Sequence, residues 1–358
     1  MQHAASSATI NRARLGSLQR RFARQDFLGV LALFVVLLCL PLLPFVKPWM
    51  ASQATLVIIY IMAAQGVAIL TGYTGLVTVG HGGFLAIGAY TAALAIKYLH
   101  LNLLLAIVAG GAMAAVIGLL LGLVFLRLAG PFMAIGTLGF AFFIGAMVNN
   151  VPFFEGREGI SLPKNQLFGV RIGDFGFYWV ALAALALVTL FKWRLIHSSV
   201  GRALKALRDA EKAAESSGVN RLYYRTIAFT ISAFITGVAG ALNGLVTSYV
   251  SAEAYSDIWY SVDILVAVVV GGSALMMGPF VGGFFIAMLP FLLENFADFS
   301  FILKGVALIA VLMFAPAGVC DLVARPFREW RRRQMHPGAP EPSRAGATSA
   351  AVTPAARS

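Results

Sequence analysis

Ten apolar runs dominate this chain, near residues 27–46, 49–71, 83–99, 103–128, 130–150, 177–195, 224–250, 261–277, 279–296 and 300–318. A helix crossing a bilayer needs about 20 mostly apolar residues. Within lipid, backbone polar groups must be satisfied internally, which restricts spanning structures to helices and closed barrels. The runs therefore predict an all-α, polytopic transmembrane helical bundle of about ten helices. The count is eight to ten, because 72–82 reads as a possible re-entrant piece and 261–296 need not hold two full spans. Only 12% of residues are charged, about half the fraction of a soluble domain. The first run follows a basic stretch but is about 20 residues long with no small-residue cleavage site after it, which reads as an uncleaved helix rather than a signal peptide.

Charge placement sets the orientation. The formal charge of +12 gathers at Arg12 to Arg24, Lys192 to Arg225 and Arg325 to Arg333. Such clusters are retained on the cytoplasmic side, so they read as a topology signal and not as a nucleic-acid site. Both termini are then cytoplasmic, and loops 151–176 and 251–260 face outward. The organisation predicted is a basic amino-terminal tail (1–26), a transmembrane domain (27–333) with a cytoplasmic loop at 197–222, and a tail (334–358). The Pro-, Ala- and Ser-rich stretch from Pro337 is too polar to bury a core and is expected to be disordered.

Catalytic and metal chemistry finds no support. No phosphate-binding Gly-Lys motif, paired-histidine zinc motif or nucleophile–base constellation occurs. Cys39 and Cys320 have no metal or disulfide spacing. His81 is the one histidine predicted within the membrane region. Asp263 fits the first turn of a helix, where a carboxylate suits the dipole, while Lys97, Arg127, Glu294 and Lys304 sit near helix ends. Gly118/Gly122, Gly240/Gly244 and Gly278/Gly282 have the GxxxG spacing that lets helices approach closely. Asn243 fits an interhelical hydrogen bond or a place on a transport path.

The cytoplasmic loop is patterned. In HSSVGRALKALRDAEKAAESSGVNRLYYRTIAF (197–229), Ala203, Leu204, Leu207, Ala210 and Ala214 oppose Arg202, Lys205, Arg208, Asp209 and Glu211. This predicts an amphipathic helix ended by Gly218, either lying on lipid or docking a soluble partner. GRALKALRDAEKAAESSGVNRLYYRTIAFTISAFITGVAGAL resembles the cytoplasmic loop of the LivM-type permeases of branched-chain amino-acid ABC importers. GYTGLVTVGHGGFLAIGAYTAA, VVVGGSALMMGPFVGG and MFAPAGVCDL resemble further segments of that family. The resemblance runs in order from about Ala51 to Leu322.

The resemblance implies an inner-membrane permease whose loop is a coupling helix for a separate ATPase. Ala213, Ala214 and Gly218 keep the family's Ala-Ala-x₃-Gly spacing, while the acid is displaced to Glu211. Arg202, Arg208 and Glu211 would be rim contacts, and Ala213, Ala214 and Gly218 would allow close approach. The implied partners are a second, LivH-type permease, two cytoplasmic ABC ATPase subunits, a periplasmic binding protein and membrane lipid. ATP and Mg would sit on the ATPase subunits, with no cofactor on this chain.

One segment stands apart. GYTGLVTVGHGGFLAIGAY (72–90) carries six glycines in an otherwise apolar region, and each glycine weakens a helix by about 1 kcal/mol relative to alanine. Residues 72–82 read as a helix break or re-entrant turn, the alternative being a kinked continuous helix. Gly72, Tyr73, Gly75, Gly80, His81 and Asn243 are the candidates for the translocation path or break, with His81 expected to donate to a carbonyl freed there.

Overall fold

The computed structural model describes residues 29–30, 32–39, 41, 47–125, 131–162, 166–167, 170–171, 173–251, 254–255, 258–292, 302, 305–306, 309, 313 and 318. The two tails, the basic clusters at Arg12–Arg24 and Arg325–Arg333, Arg127, Glu253, Asp257, Glu294, Lys304 and Cys320 lie outside the described residues. So does most of the predicted 300–318 helix.

Ten helices carry the architecture among the described residues: α1 (Pro48–Thr74), α2 (His81–Leu99), α3 (Leu103–Phe125), α4 (Pro131–Asn150), α5 (Asp174–His197), α6 (Ser199–Asp209), α7 (Glu211–Ser216), α8 (Arg221–Thr247), α9 (Ile258–Gly271) and α10 (Gly278–Leu292). A helical stretch at 32–39 precedes them. Six of these helices are long and apolar enough to cross a membrane, so the chain is a multi-pass membrane protein with an all-α bundle.

The expected span at 261–277 is corrected. α9 has 14 residues and ends at Gly271. The reason is local: Gly272 takes φ +97, a left-handed conformation that stops a helix. Residues 272–277 then turn the chain, and Pro279 sits in the first turn of α10, where its missing N–H costs nothing.

α1 and α8 form the centre, each 78% buried over its most apolar window, against 33–39% for α3, α4 and α5. Small residues make this possible. Down α3, Gly110, Gly111, Ala114 and Gly118 meet Ala241, Val238, Gly237 and Ala233 of α8 in antiparallel order. A methyl on Gly240 would overlap the Leu85 carbonyl of α2, and one on Gly282 the Ala267 carbonyl of α9. The spacing expected for close packing does this at Gly118, Gly240, Gly244, Gly278 and Gly282, whereas a methyl on Gly122 would find ordinary contacts at 3.5 Å.

Contacts between helix ends give the bundle two distinct ends. The C-terminal ends of α1 and α5, the start of α8, the 272–277 turn and α6 share one end. At the other, Ile160–Ser161 pairs antiparallel with Tyr249–Val250, and Lys97 of α2 ion-pairs with Glu155 beyond α4.

Candidate functional site: a helix break beside a surface elbow

Between α1 and α2 the chain is non-helical from Gly75 to Gly80, so the break is present and a continuous helix is not. Gly75 ends α1 with φ +74. The chain then turns back into the bundle. His81 lies at the level of Gly66, to which Ser232 ties it. Gly66 precedes Thr74 by about 12 Å at the α-helical rise. Extended backbone inside a membrane protein is tolerated where protein satisfies its polar groups. Here the surrounding helices do so: Val79 N–H donates to Thr137 Oγ1 of α4 (3.2 Å) and Gly82 N–H to Ser261 Oγ of α9 (2.9 Å).

His81 is buried and fully bonded. Ser232 Oγ donates its single hydrogen to the Gly66 carbonyl (2.7 Å). It must therefore accept from His81 Nε2 at 2.8 Å. Nδ1, 3.0 Å from Thr78 Oγ1, is then the acceptor of the threonine hydroxyl. The expected donation from His81 to a carbonyl freed at the break is not made: Nε2 bonds to the Ser232 hydroxyl instead, whose own hydrogen goes to the Gly66 carbonyl inside α1. Asn243 makes the interhelical bonds that were one of its two readings: Nδ2 donates to Tyr260 OH (2.8 Å), and its Oδ1 accepts from Tyr255 OH (3.1 Å).

The amphipathic helix expected over 203–214 is instead two helices with an elbow at Ala210, whose φ −154 and ψ 78 are not helical. Ser198 Oγ accepts from Gly201 N–H and caps α6, as serine does. The apolar face of α6 is buried at Gly201, Leu204 and Leu207. At the elbow Glu211, the first residue of α7, faces α8. Its carboxylate pairs with Arg225 (2.9 Å) and Arg221. Burial raises the Glu211 carboxyl, but the bonds and charge of Arg225, then of Arg221, outweigh it and hold it below the ordinary 4.5. Gly218 ends α7 with φ +86, and the bonds Val219 N–H to Ala214 O and Gly218 N–H to Glu215 O complete the expected cap. Arg202, Ala213 and Gly218 are exposed, and Ala214 is buried.

The two candidate clusters meet. Arg208 Nη1 of α6 donates to the Gly72 carbonyl of α1 at 2.7 Å, while its Nε donates to Asp209 (2.8 Å). Tyr73 lies within cation–π range of two lysines: its ring centre is 6.0 Å from Lys192 Nζ and 5.7 Å from Lys205 Nζ. Burial, then the neighbouring Arg208 charge, lowers Lys205. Lys192 is fully buried, and its ammonium makes no hydrogen bond among the described residues. Sequence reasoning missed Thr78, Thr137, Ser232, Ser261 and Lys192. The available signal was isolated Ser, Thr and Lys in apolar runs, where polar groups bond across helices. Among the described residues, no three His, Cys, Asp or Glu side chains gather to hold a metal.

The family described as the branched-chain amino acid transport system permease component matches residues 49–316. The high-affinity branched-chain amino acid transport system permease protein LivM of Escherichia coli K12 is 33% identical over 306 residues, 77% of this chain and 72% of its own. LivM of Salmonella typhimurium is 32% identical over the same shares. The permease LivH of Escherichia coli K12 is 25% identical over 75% of this chain and 94% of its own length. No solved structure matches the chain.

Proposed function

The chain belongs to the branched-chain amino acid transport permease family, and on that premise we propose that it is the permease subunit of an ATP-driven importer in a bacterial inner membrane. Its cargo on this reading is a branched-chain or related small amino acid, handed over by a periplasmic binding protein. A LivH-type permease completes the pore, and two ABC ATPase subunits, which carry ATP and Mg, bind below.

The observation that carries the proposal is the α6–α7 elbow. Its inner face is fixed to the bundle through Leu204, Leu207 and the Glu211 ion pairs, while Arg202, Ala206, Lys212 and Ala213 stay exposed. A membrane chain with a rigid, polar knob of small residues suits docking of a soluble partner better than burial in lipid. The positive-inside rule, applied to the Lys192–Arg225 cluster, puts that knob in the cytoplasm.

The path on this reading runs beside the break. Gly75 and Val77 are exposed in a stretch that is otherwise buried or half-buried. Co-purification of an ATPase with the chain, followed by ATP-dependent leucine uptake into liposomes with the binding protein present, tests the assignment. Accumulation by the chain alone, driven only by an ion gradient, would sink it. The ligand that stabilises the cognate binding protein identifies the cargo.

A further inference from the structure

Arg208 joins three parts of the molecule at one carbonyl. Its guanidinium reaches Gly72 O, one of the last four carbonyls of α1, which have no partner within the helix. A cation there also suits the negative end of the helix dipole. The stem of Arg208 lies along the break: a methyl on Gly75 would sit 3.1 Å from Arg208 Cγ. On its other side Gly72 abuts the 272–277 turn so closely that a methyl would overlap the Ser273 carbonyl. α6 also packs closely on the end of α5, since a methyl on Gly201 would overlap the Leu195 carbonyl.

Resting on the importer reading, we propose that Arg208 is a positioning residue: it carries a displacement of α6 into the 75–80 segment and the 272–277 turn together. Arg208 hydrogen-bonds to the end of α1, and Lys205 Nζ of the same helix stands 5.7 Å from the Tyr73 ring centre. Arg208 acts inward in this role and is not a rim contact for the ATPase.

The test uses the assembled complex with Cys39→Ser, Cys320→Ser and Val77→Cys, so that Val77→Cys reports on the break through thiol labelling. In this background ATP with Mg is expected to change the labelling rate, and Arg208→Ala is expected to remove that response while the ATPase still co-purifies. Leucine moved per ATP hydrolysed should fall about tenfold, within the range of coupling between two sites. Arg208→Lys keeps the charge and stem but loses the fork, and should give an intermediate ratio. A wild-type labelling response in Arg208→Ala overturns the proposal. So does loss of ATPase co-purification in Arg208→Ala, which marks Arg208 as a rim contact. A parent chain that binds no ATPase sinks the importer reading itself.

Discussion

His81 Nε2 stands 2.8 Å from Ser232 Oγ across α2 and α8, and the serine hydroxyl donates its own hydrogen to the Gly66 carbonyl of α1. The first helical residue after the break is thereby tied to both central helices. Ser232→Ala should leave the His81 N–H buried without an acceptor, at a cost of about 1–3 kcal/mol. The melting temperature of the purified chain in detergent checks this. An unchanged value would show that these bonds contribute nothing.

The α3–α8 seam separates two glycines of the same motif. Gly118→Ala should overlap Ala233, whereas Gly122→Ala has room at 3.5 Å. Overpacking costs about 1–3 kcal/mol, so only the first variant should lower thermal stability. Equal losses would contradict the packing described.

Glu211 sets a pH dependence. Its folded carboxyl is held below 4.5, so its ion pairs stabilise the elbow above that pH. That contribution is lost as pH falls through the lowered folded value. The side chain is 37% exposed, and solvent screening limits the effect to about 1 kcal/mol or less. The protection of the 211–217 amides, taken relative to unstructured chain at the same pH, should fall in acid, and Glu211→Gln should lower it already at pH 7. Protection of α7 that ignores both changes would refute the role of the pairs.

Ala213 is exposed on α7 beside the buried Ala214. If the elbow docks an ATPase, Ala213→Trp should abolish co-purification and leave the chain's melting temperature within about 0.5 kcal/mol of stability, as surface changes do. Retained ATPase binding would move the docking surface elsewhere.

Most spans were legible because apolar runs and their lengths are local properties, and so were the Gly218 cap and the presence of a break within 72–82, which the structure narrows to 75–80. The elbow was not. Ala210 is a good helix former, yet it is non-helical where Glu211 pairs with Arg221 and Arg225, ten and fourteen residues away. The shortness of α9 was hidden for a similar reason, since SALMM is apolar enough to prolong a span. Gly72 and Gly80 were read as marks of softness. The structure gives them a second reason: a methyl on Gly72 would overlap Ser273 and one on Gly80 would overlap Thr137. Leucine at either position is therefore a packing lesion and a poor probe of transport. That Arg208 meets Gly72 across 136 positions follows from no pattern along the chain.

The hydrogen bonds around 75–80 land on different helices: Val79 on α4, Gly82 on α9, His81 on α8. No two share an anchor. Displacing one of these helices alone would leave a buried partner unpaired, at about 1–3 kcal/mol, while the other two bonds stay made. The segment is therefore pinned at three separate points, one on each of three helices.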